Sequence, residues 1–152
     1  MSKLDVIRMQ RDNAEAWRYM PQVLDRLYRF CGEMDTESSA PEVVDLVRAW
    51  FAVGDIRLGL WVGVMDNVCI AHTFATPEPV GMDHWKYVLI RQAKVDPGID
   101  MRDETKQTML EVIEWTKSLG LKQVNIVTHR DEAAMLRRWS FKNYKLLMRL
   151  DL

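Results

Sequence analysis

The sequence has 152 residues, of which 48% are hydrophobic and 28% are charged. This size and composition are typical of one globular domain with its own core, and they exclude an intrinsically disordered chain. The 21 basic and 22 acidic residues leave a net charge of −1, so no global field favours nucleic acid or an anionic membrane as a partner.

The residue types that usually hold metals are scattered rather than paired: Cys31, Cys69, His72, His84 and His129. We therefore expect two reduced thiols and no metal site. The longest apolar stretch, 58–65, is far too short to cross a bilayer, and the N-terminus lacks the long apolar region of a signal peptide. We expect one domain over residues 1–152, without a membrane partner and located in the cytoplasm.

The first third of the chain predicts a short strand from Leu4 and then two helices. Asp12 or Asn13 can cap the first helix, which runs through Phe30 and ends at Gly32. Pro21 lies inside it and predicts a kink or a fresh start there.

The second helix follows an acidic segment. Ser39 and Glu42 have the S-x-x-E spacing of a capping box, and the apolar residues that recur at helical intervals after them are Val43, Leu46, Val47 and Trp50.

The middle of the chain alternates with period two and predicts strands. The first runs from Arg57 to about Val64, and Asp66-Asn67 suits a tight turn into a partner strand over residues 68–76. A long strand from about His84 to Val95 follows. It is apolar on both faces, which indicates a central position in the sheet.

The C-terminal part predicts a helix from Asp103 to Leu119, stopped by Gly120, and a strand from Leu121 to Thr128. A strand, a helix and a strand in succession imply a right-handed crossover between parallel strands. A short helix over 131–139 and a last strand over 141–150 complete an α/β fold with a mixed central sheet of about six strands flanked by about four helices.

Two stretches resemble the GNAT superfamily of acyl-CoA N-acyltransferases. One is Val95-Asp96-Pro97 followed by Arg102 and the amphipathic helix, where the family has V-x-P and then [RQ]-x-x-G-x-[GA]. The other is the segment 129–152, which is similar to the family's N-x-x-A-x-x-L-Y-x-x-x-G-F and the strand after it. The resemblance implies that backbone N–H groups at the helix start hold the pyrophosphate of acetyl-CoA. The cofactor-binding residues that it implies are Val95, Arg102, Thr105, Lys106 and Gln107.

The chain departs from the family pattern at the cofactor site. Thr105 and Gln107 stand where the family has small residues, and carboxylates crowd the same helix start: Asp100, Asp103 and Glu104. Carboxylates stabilise a helix start but compete with a bound pyrophosphate, so the sequence predicts weakened binding.

The catalytic residues are also altered. Leu136 stands where many members have a proton-donating Tyr, and Ser140 replaces a Gly. The long strand holds no Asp or Glu that could act as a base. His84 and Tyr144 are the substitutes that we considered, but each is read more simply as a surface or packing residue, so the catalytic residues stay unassigned.

Two functions follow from these observations. The first is a non-catalytic GNAT-fold protein that binds a protein partner or assembles with itself, for example as a phage or virion component. The second is an active N-acetyltransferase that uses acetyl-CoA and acts on a small or protein amine.

The chain has more tryptophans than a small core can hold, which predicts an exposed partner surface. The six tryptophans are Trp17, Trp50, Trp61, Trp85, Trp115 and Trp139.

Overall fold

The computed structural model describes residues 3–31, 39–79 and 84–126. Within these ranges the chain forms five strands and three helices. In chain order they are β1 (Leu4–Arg8), α1 (Ala14–Phe30), α2 (Ala40–Val53), β2 (Gly59–Met65), β3 (Val68–Glu78), β4 (Tyr87–Val95), α3 (Arg102–Ser118) and β5 (Val124–Ile126). The helix expected over 131–139 and the strand expected over 141–150 lie outside the described residues.

The five strands form one mixed sheet in the order β1-β2-β3-β4-β5. The first three pairs are antiparallel, whereas β4 and β5 are parallel, with Val88 opposite Val124 and Ile90 opposite Ile126. The predicted α/β class and the predicted parallel pair are therefore confirmed. The expected divergence of these two strands beyond Val95 concerns residues after Ile126, which are not among those described.

Helix α1 begins at its predicted cap and continues past its proline. Of the two candidates, Asn13 is the cap, and its side-chain oxygen accepts a hydrogen bond from the Glu15 amide at 3.0 Å. The fresh start predicted at Pro21 is wrong, because the helix is unbroken from Ala14 to Phe30. Pro21 lies on the exposed face, where water can satisfy the carbonyl that loses its donor.

Helix α2 and the hairpin follow their local signals. The Ser39 side chain accepts from the Glu42 amide at 3.4 Å, and Gly54 ends α2 in the left-handed conformation with φ of 67°. Asp66 and Asn67 both have positive φ, 54° and 64°, which is the geometry of a type I′ turn. Met65 and Val68 pair across it. The cap at Ser39 and the two-residue turn are both confirmed, whereas the reciprocal bond from Glu42 to the Ser39 amide stays a prediction.

The sheet is covered on both faces. Helices α1 and α2 pack on one face, where the core includes Val23, Leu27, Val47, Leu60 and Phe74. Helix α3 packs on the other face, where the core is divided into two clusters. One contains Trp61, Ala75, Val88, Ile90, Val112 and Trp115, and the other contains Ile70, Ala71 and Met101.

The tryptophans and cysteines are mostly interior. Trp50, Trp61 and Trp115 are buried, whereas Trp17 is 51% exposed. Trp17 is nevertheless anchored within the chain, since its ring packs edge-on against Phe51 and its indole N–H donates to the Arg11 carbonyl at 2.7 Å. The partner surface therefore stays a prediction. Both cysteines are buried thiols that take part in no disulfide.

In the described part of the chain, no helix is long and apolar enough to cross a membrane. Nor do three or more metal-binding side chains gather anywhere within those residues.

Candidate cofactor site

Strand β4 contains a β-bulge at Arg91. Phe74 of β3 lies opposite Gln92, but the next residue, Ala75, lies opposite Ile90. Arg91 is therefore an extra residue on β4 with no counterpart on β3.

Because of the bulge, amides that are an even number of residues apart on β4 point to different neighbouring strands. The Val88 amide donates to the Gln123 carbonyl on the β5 side, at 2.9 Å, whereas the Asp96 amide donates to a β3 carbonyl, also at 2.9 Å. Positions 88 and 96 are an even number of residues apart, so in a regular strand both amides would point the same way. The extra residue changes this, and Arg91, which has no counterpart on β3, lies outside the regular ladder. The Ile90 amide belongs to the ladder with β5, where Leu89 pairs with Asn125 and Ile90 with Ile126.

The start of α3 lies just beyond the end of β4. Met101 occupies the N-cap position and provides no side-chain acceptor. Asp100 acts in its place, because one of its carboxylate oxygens accepts from the Arg102 amide at 3.2 Å. Asp103 and Glu104 lie in the first turn, where their charge complements the helix dipole.

Arg102 and Asp100 form an ion pair at this helix start. The guanidinium donates to both carboxylate oxygens, at 3.1 and 3.0 Å. These hydrogen bonds hold the pKa of Asp100 below its usual value and raise the pKa of Arg102. Both side chains are largely exposed, so water screens the attraction and phosphate oxygens could replace the carboxylate as acceptors.

A buried network fixes the turn between β4 and α3. Arg26 of α1 is only 2% exposed, yet its guanidinium donates to Asp96 at 2.7 Å. Asp96 is the middle residue of the Val95-Asp96-Pro97 stretch. This ion pair therefore ties α1 to the loop that leads into α3.

The same network continues into the sheet through His72. Arg26 Nε donates to Nδ1 of His72 at 3.0 Å, and Nε2 of His72 lies 2.5 Å from the side-chain oxygen of Gln92. An acceptor Nδ1 places the proton on Nε2. Burial lowers the pKa of His72 to about 4, so the ring is neutral at pH 7.

A second, half-buried ion pair lies beside the bulge. Arg91 donates to Glu78 of β3, and its Nε donates to the Thr76 hydroxyl at 2.7 Å. Thr76 in turn donates to the same Glu78 oxygen at 2.9 Å. Glu78 is thus the carboxylate that the fold brings to β4, but two donors hold its oxygen in a structural arrangement.

A cavity of about 130 Å³ lies between the sheet and α3. Its lining includes residues of β2, β3, β4, β5 and α3, among them Gly63, Thr73, Ala93, Val95, Thr105 and Thr108. Ala93 is exposed, so the cavity reaches the surface beside the end of β4.

The structure separates the five predicted cofactor residues. Val95 and Thr105 both line the cavity. Arg102 lies exposed at the start of α3, paired with Asp100. Lys106 and Gln107 line a different groove, on the outer face of α3 towards β1. These five assignments stay predictions.

The sequence reasoning missed Arg26, His72 and the bulge. Arg26 did leave a signal, because it falls three residues after Val23 and directly before Leu27, within the apolar stripe of α1. A charged residue in such a stripe indicates a buried ion pair.

Solved acetyltransferase structures share this fold. No protein-family model matches the sequence, and no curated protein matches it. A Trypanosoma brucei acetyltransferase matches with a TM-score of 0.65 at 15% identity, covering 99% of this chain and 100% of that one. A predicted acetyltransferase from Clostridium acetobutylicum, with acetyl-CoA, matches with a TM-score of 0.65 at 10% identity over 98% of this chain and 96% of that one.

An aminoglycoside N-acetyltransferase, AAC(6')-Iy in complex with CoA, matches with a TM-score of 0.62 at 16% identity, covering 100% of this chain and 96% of that one. Identities this low show the fold alone. Together with the mixed sheet, its parallel β4–β5 pair and the covering helices, they show that this chain has the fold of the GNAT acetyltransferases.

Proposed function

We propose that this protein binds an acyl-CoA beside the end of β4 and transfers the acyl group to an amine nitrogen. The observation that supports this most directly is the bulge at Arg91, which leaves this residue of β4 outside the pairing with β3. A backbone N–H group that a bulge releases from the ladder is suited to polarise a carbonyl oxygen. The helix start of α3 lies beyond the same strand end.

The residues present fit the two ends of such a ligand. Amides and the positive dipole end at the start of α3 suit a pyrophosphate, and Arg102 adds a cation there. The bulge suits the thioester carbonyl, and Val95 and Thr105 line the space between the two places. The bound thioester supplies an acyl carbon that is already activated for attack by an amine.

The acidic residues at the helix start weaken this binding without preventing it. The pair formed by Asp100 and Arg102 is exposed, so breaking it costs little free energy. Once Asp100 is displaced, Arg102 is available to the phosphate oxygens.

In this proposal the rate enhancement comes from positioning the amine against the thioester carbonyl. Glu78, the carboxylate next to β4, is already held by Arg91 and Thr76, and β4 itself contains no acidic residue. Holding an amine against a polarised carbonyl accelerates reaction without a dedicated base, because orientation alone removes much of the barrier.

A second candidate is a non-catalytic protein that uses the GNAT scaffold to bind a protein partner or a second copy of itself, for example in a phage particle. The observation that favours it is the ion pair between Arg102 and Asp100, because the cation that would bind a phosphate already has a partner within the chain.

Isothermal titration with CoA and acetyl-CoA, followed by an assay of thiol release with a panel of amines, tests both candidates. Asp100→Asn should bind CoA more tightly than the native protein, because Arg102 is released and a negative charge is removed. Asp45→Asn is the matched control, since Asp45 also pairs with an exposed arginine but lies on α2, and it should leave the affinity unchanged.

The results separate the candidates. Binding together with amine-dependent thiol release supports the transferase. Binding without thiol release for any amine of the panel favours the second candidate. If neither the native protein nor Asp100→Asn binds CoA, acyl-CoA binding is refuted.

A further inference from the structure

We propose that the cavity beneath α3 holds the tail of an acyl chain longer than acetyl, so that the preferred acyl-CoA is one of medium chain length, near hexanoyl. This inference rests on the proposed binding of an acyl-CoA and specifies which one.

The cavity has the size of a small apolar group. Its volume is about 130 Å³, and an apolar protein cavity of roughly 150 Å³ holds one benzene molecule. A six-carbon chain therefore matches the space, whereas an acetyl group would leave most of it empty.

Small side chains leave this space open. Gly63, Ala71, Thr73 and Ala93 line the cavity from the sheet, across three neighbouring strands. Met101, at the N-cap of α3, is the neighbour of this wall, since its terminal carbon lies 2.7 Å from the position that a Cβ at Gly63 would take. The core on this face is accordingly split into two clusters, although protein interiors normally pack without such gaps.

The larger part of the wall is apolar and adaptable, although His72, Arg91 and Lys94 also contribute to the lining. Ile90, Met101, Met109 and Val112 contribute to the lining. Methionine side chains have flexible, polarisable ends that adjust to irregular shapes. An alkyl chain is thus the chemistry that this lining would recognise, in preference to a polar or charged group.

The cavity is continuous with the proposed cofactor site. Arg91, where the bulge would hold the thioester carbonyl, is part of the lining, and so are Val95 and Thr105. A chain attached at the bulge therefore has a path into the cavity that does not cross the start of α3.

Titration with CoA and with acetyl-, butyryl-, hexanoyl- and dodecanoyl-CoA tests the inference. Each methylene that enters the cavity should tighten binding by roughly fourfold at most. We expect affinity to rise from acetyl to hexanoyl and to rise no further at dodecanoyl, because the space is then full. Equal affinities for acetyl- and hexanoyl-CoA would overturn the proposal.

Thr108→Leu fills the cavity from α3 and should remove the advantage of hexanoyl-CoA while CoA and acetyl-CoA bind as before. Glu114→Leu adds the same side chain at an exposed position of the same helix and should keep the advantage. If folded Thr108→Leu loses CoA itself, the cavity belongs to the CoA arm and the proposal is wrong. Should Thr108→Leu fail to fold, Thr73→Leu fills the same space from β3.

Benzene provides a readout that does not depend on CoA. It should raise the Tm of the native protein and of Glu114→Leu, but not that of Thr108→Leu. If benzene raises no Tm, the cavity is not an apolar site, whatever CoA does. A benzene effect without any CoA binding would instead refute the acyl-CoA function and with it the proposed occupant.

Discussion

Replacing Arg26 with methionine tests the buried network behind the β4–α3 turn. The native guanidinium donates to Asp96 at 2.7 Å and to His72 at 3.0 Å, and it approaches the carbonyls of Cys69 and Lys94 at 3.4 Å. Methionine fills much of the same volume but donates no hydrogen bond, so buried acceptors lose their partner.

The expected loss follows from these contacts. A buried acceptor left unsatisfied costs about 1–3 kcal/mol, and breaking a buried ion pair from one side costs about 3–5 kcal/mol. Asp96 is 38% exposed on its side chain and can regain water, which limits the total. We expect Arg26→Met to lower the free energy of unfolding by about 3–5 kcal/mol, and hence the Tm by roughly 6–20 °C for a chain of this size.

Urea denaturation followed by tryptophan fluorescence measures this loss. Arg29→Met is the control, because Arg29 lies on the same helix and pairs with Asp25 at 2.9 Å, but its side chain is 55% exposed. That variant should lose less than about 1 kcal/mol. Equal losses in the two variants would show that the network does not stabilise the fold as argued.

Two further predictions concern His72 and the glycines of β2. Burial lowers the pKa of His72 from 6.5 to about 4, so the unfolded chain takes up a proton first as the pH falls. Stability should be complete above pH 6.5 and decline by up to about 3 kcal/mol towards pH 4; urea titrations at several pH values should show a flatter profile for His72→Gln, and an unchanged profile would contradict this assignment. A Cβ at Gly59 would lie 2.5 Å from the buried ring of Trp115, whereas one at Gly63 would lie 2.7 Å from the flexible end of Met101. Gly59→Ala should therefore destabilise the protein by about 1–3 kcal/mol and Gly63→Ala by clearly less, and the reverse order of Tm values would refute this reading of the packing.

Features that depend on neighbouring residues were predictable from the sequence. The caps at Asn13 and Ser39 and the turn at Asp66-Asn67 each arise from a side chain that acts on its own or an adjacent backbone group. The parallel pair followed from the right-handed crossover rule. In all of these cases, chemistry within a few residues or a general rule of chain topology decides the structure.

Features that depend on distant partners were not predictable. Arg26 and Asp96 are 70 residues apart in the chain, and nothing local to either residue indicates the other. The bulge at Arg91 depends on how two strands meet rather than on a glycine or proline in β4. The proposed site was therefore located only at the level of its helix, without the cavity or the bulge beside it.

The bulge also changes which residues of β4 have side chains on the same face of the sheet. Before Arg91 the side chains on the α3 face are the even-numbered Val88 and Ile90, whereas after it the odd-numbered Ala93 and Val95 line the cavity on that face. The alternation of polarity thus shifts phase within one strand, which is why β4 looks apolar on both faces in the sequence. Any comparison of β4 with a bulge-free strand must skip one position at Arg91, and deleting a residue there would move Ala93 and Val95 to the opposite face of the sheet.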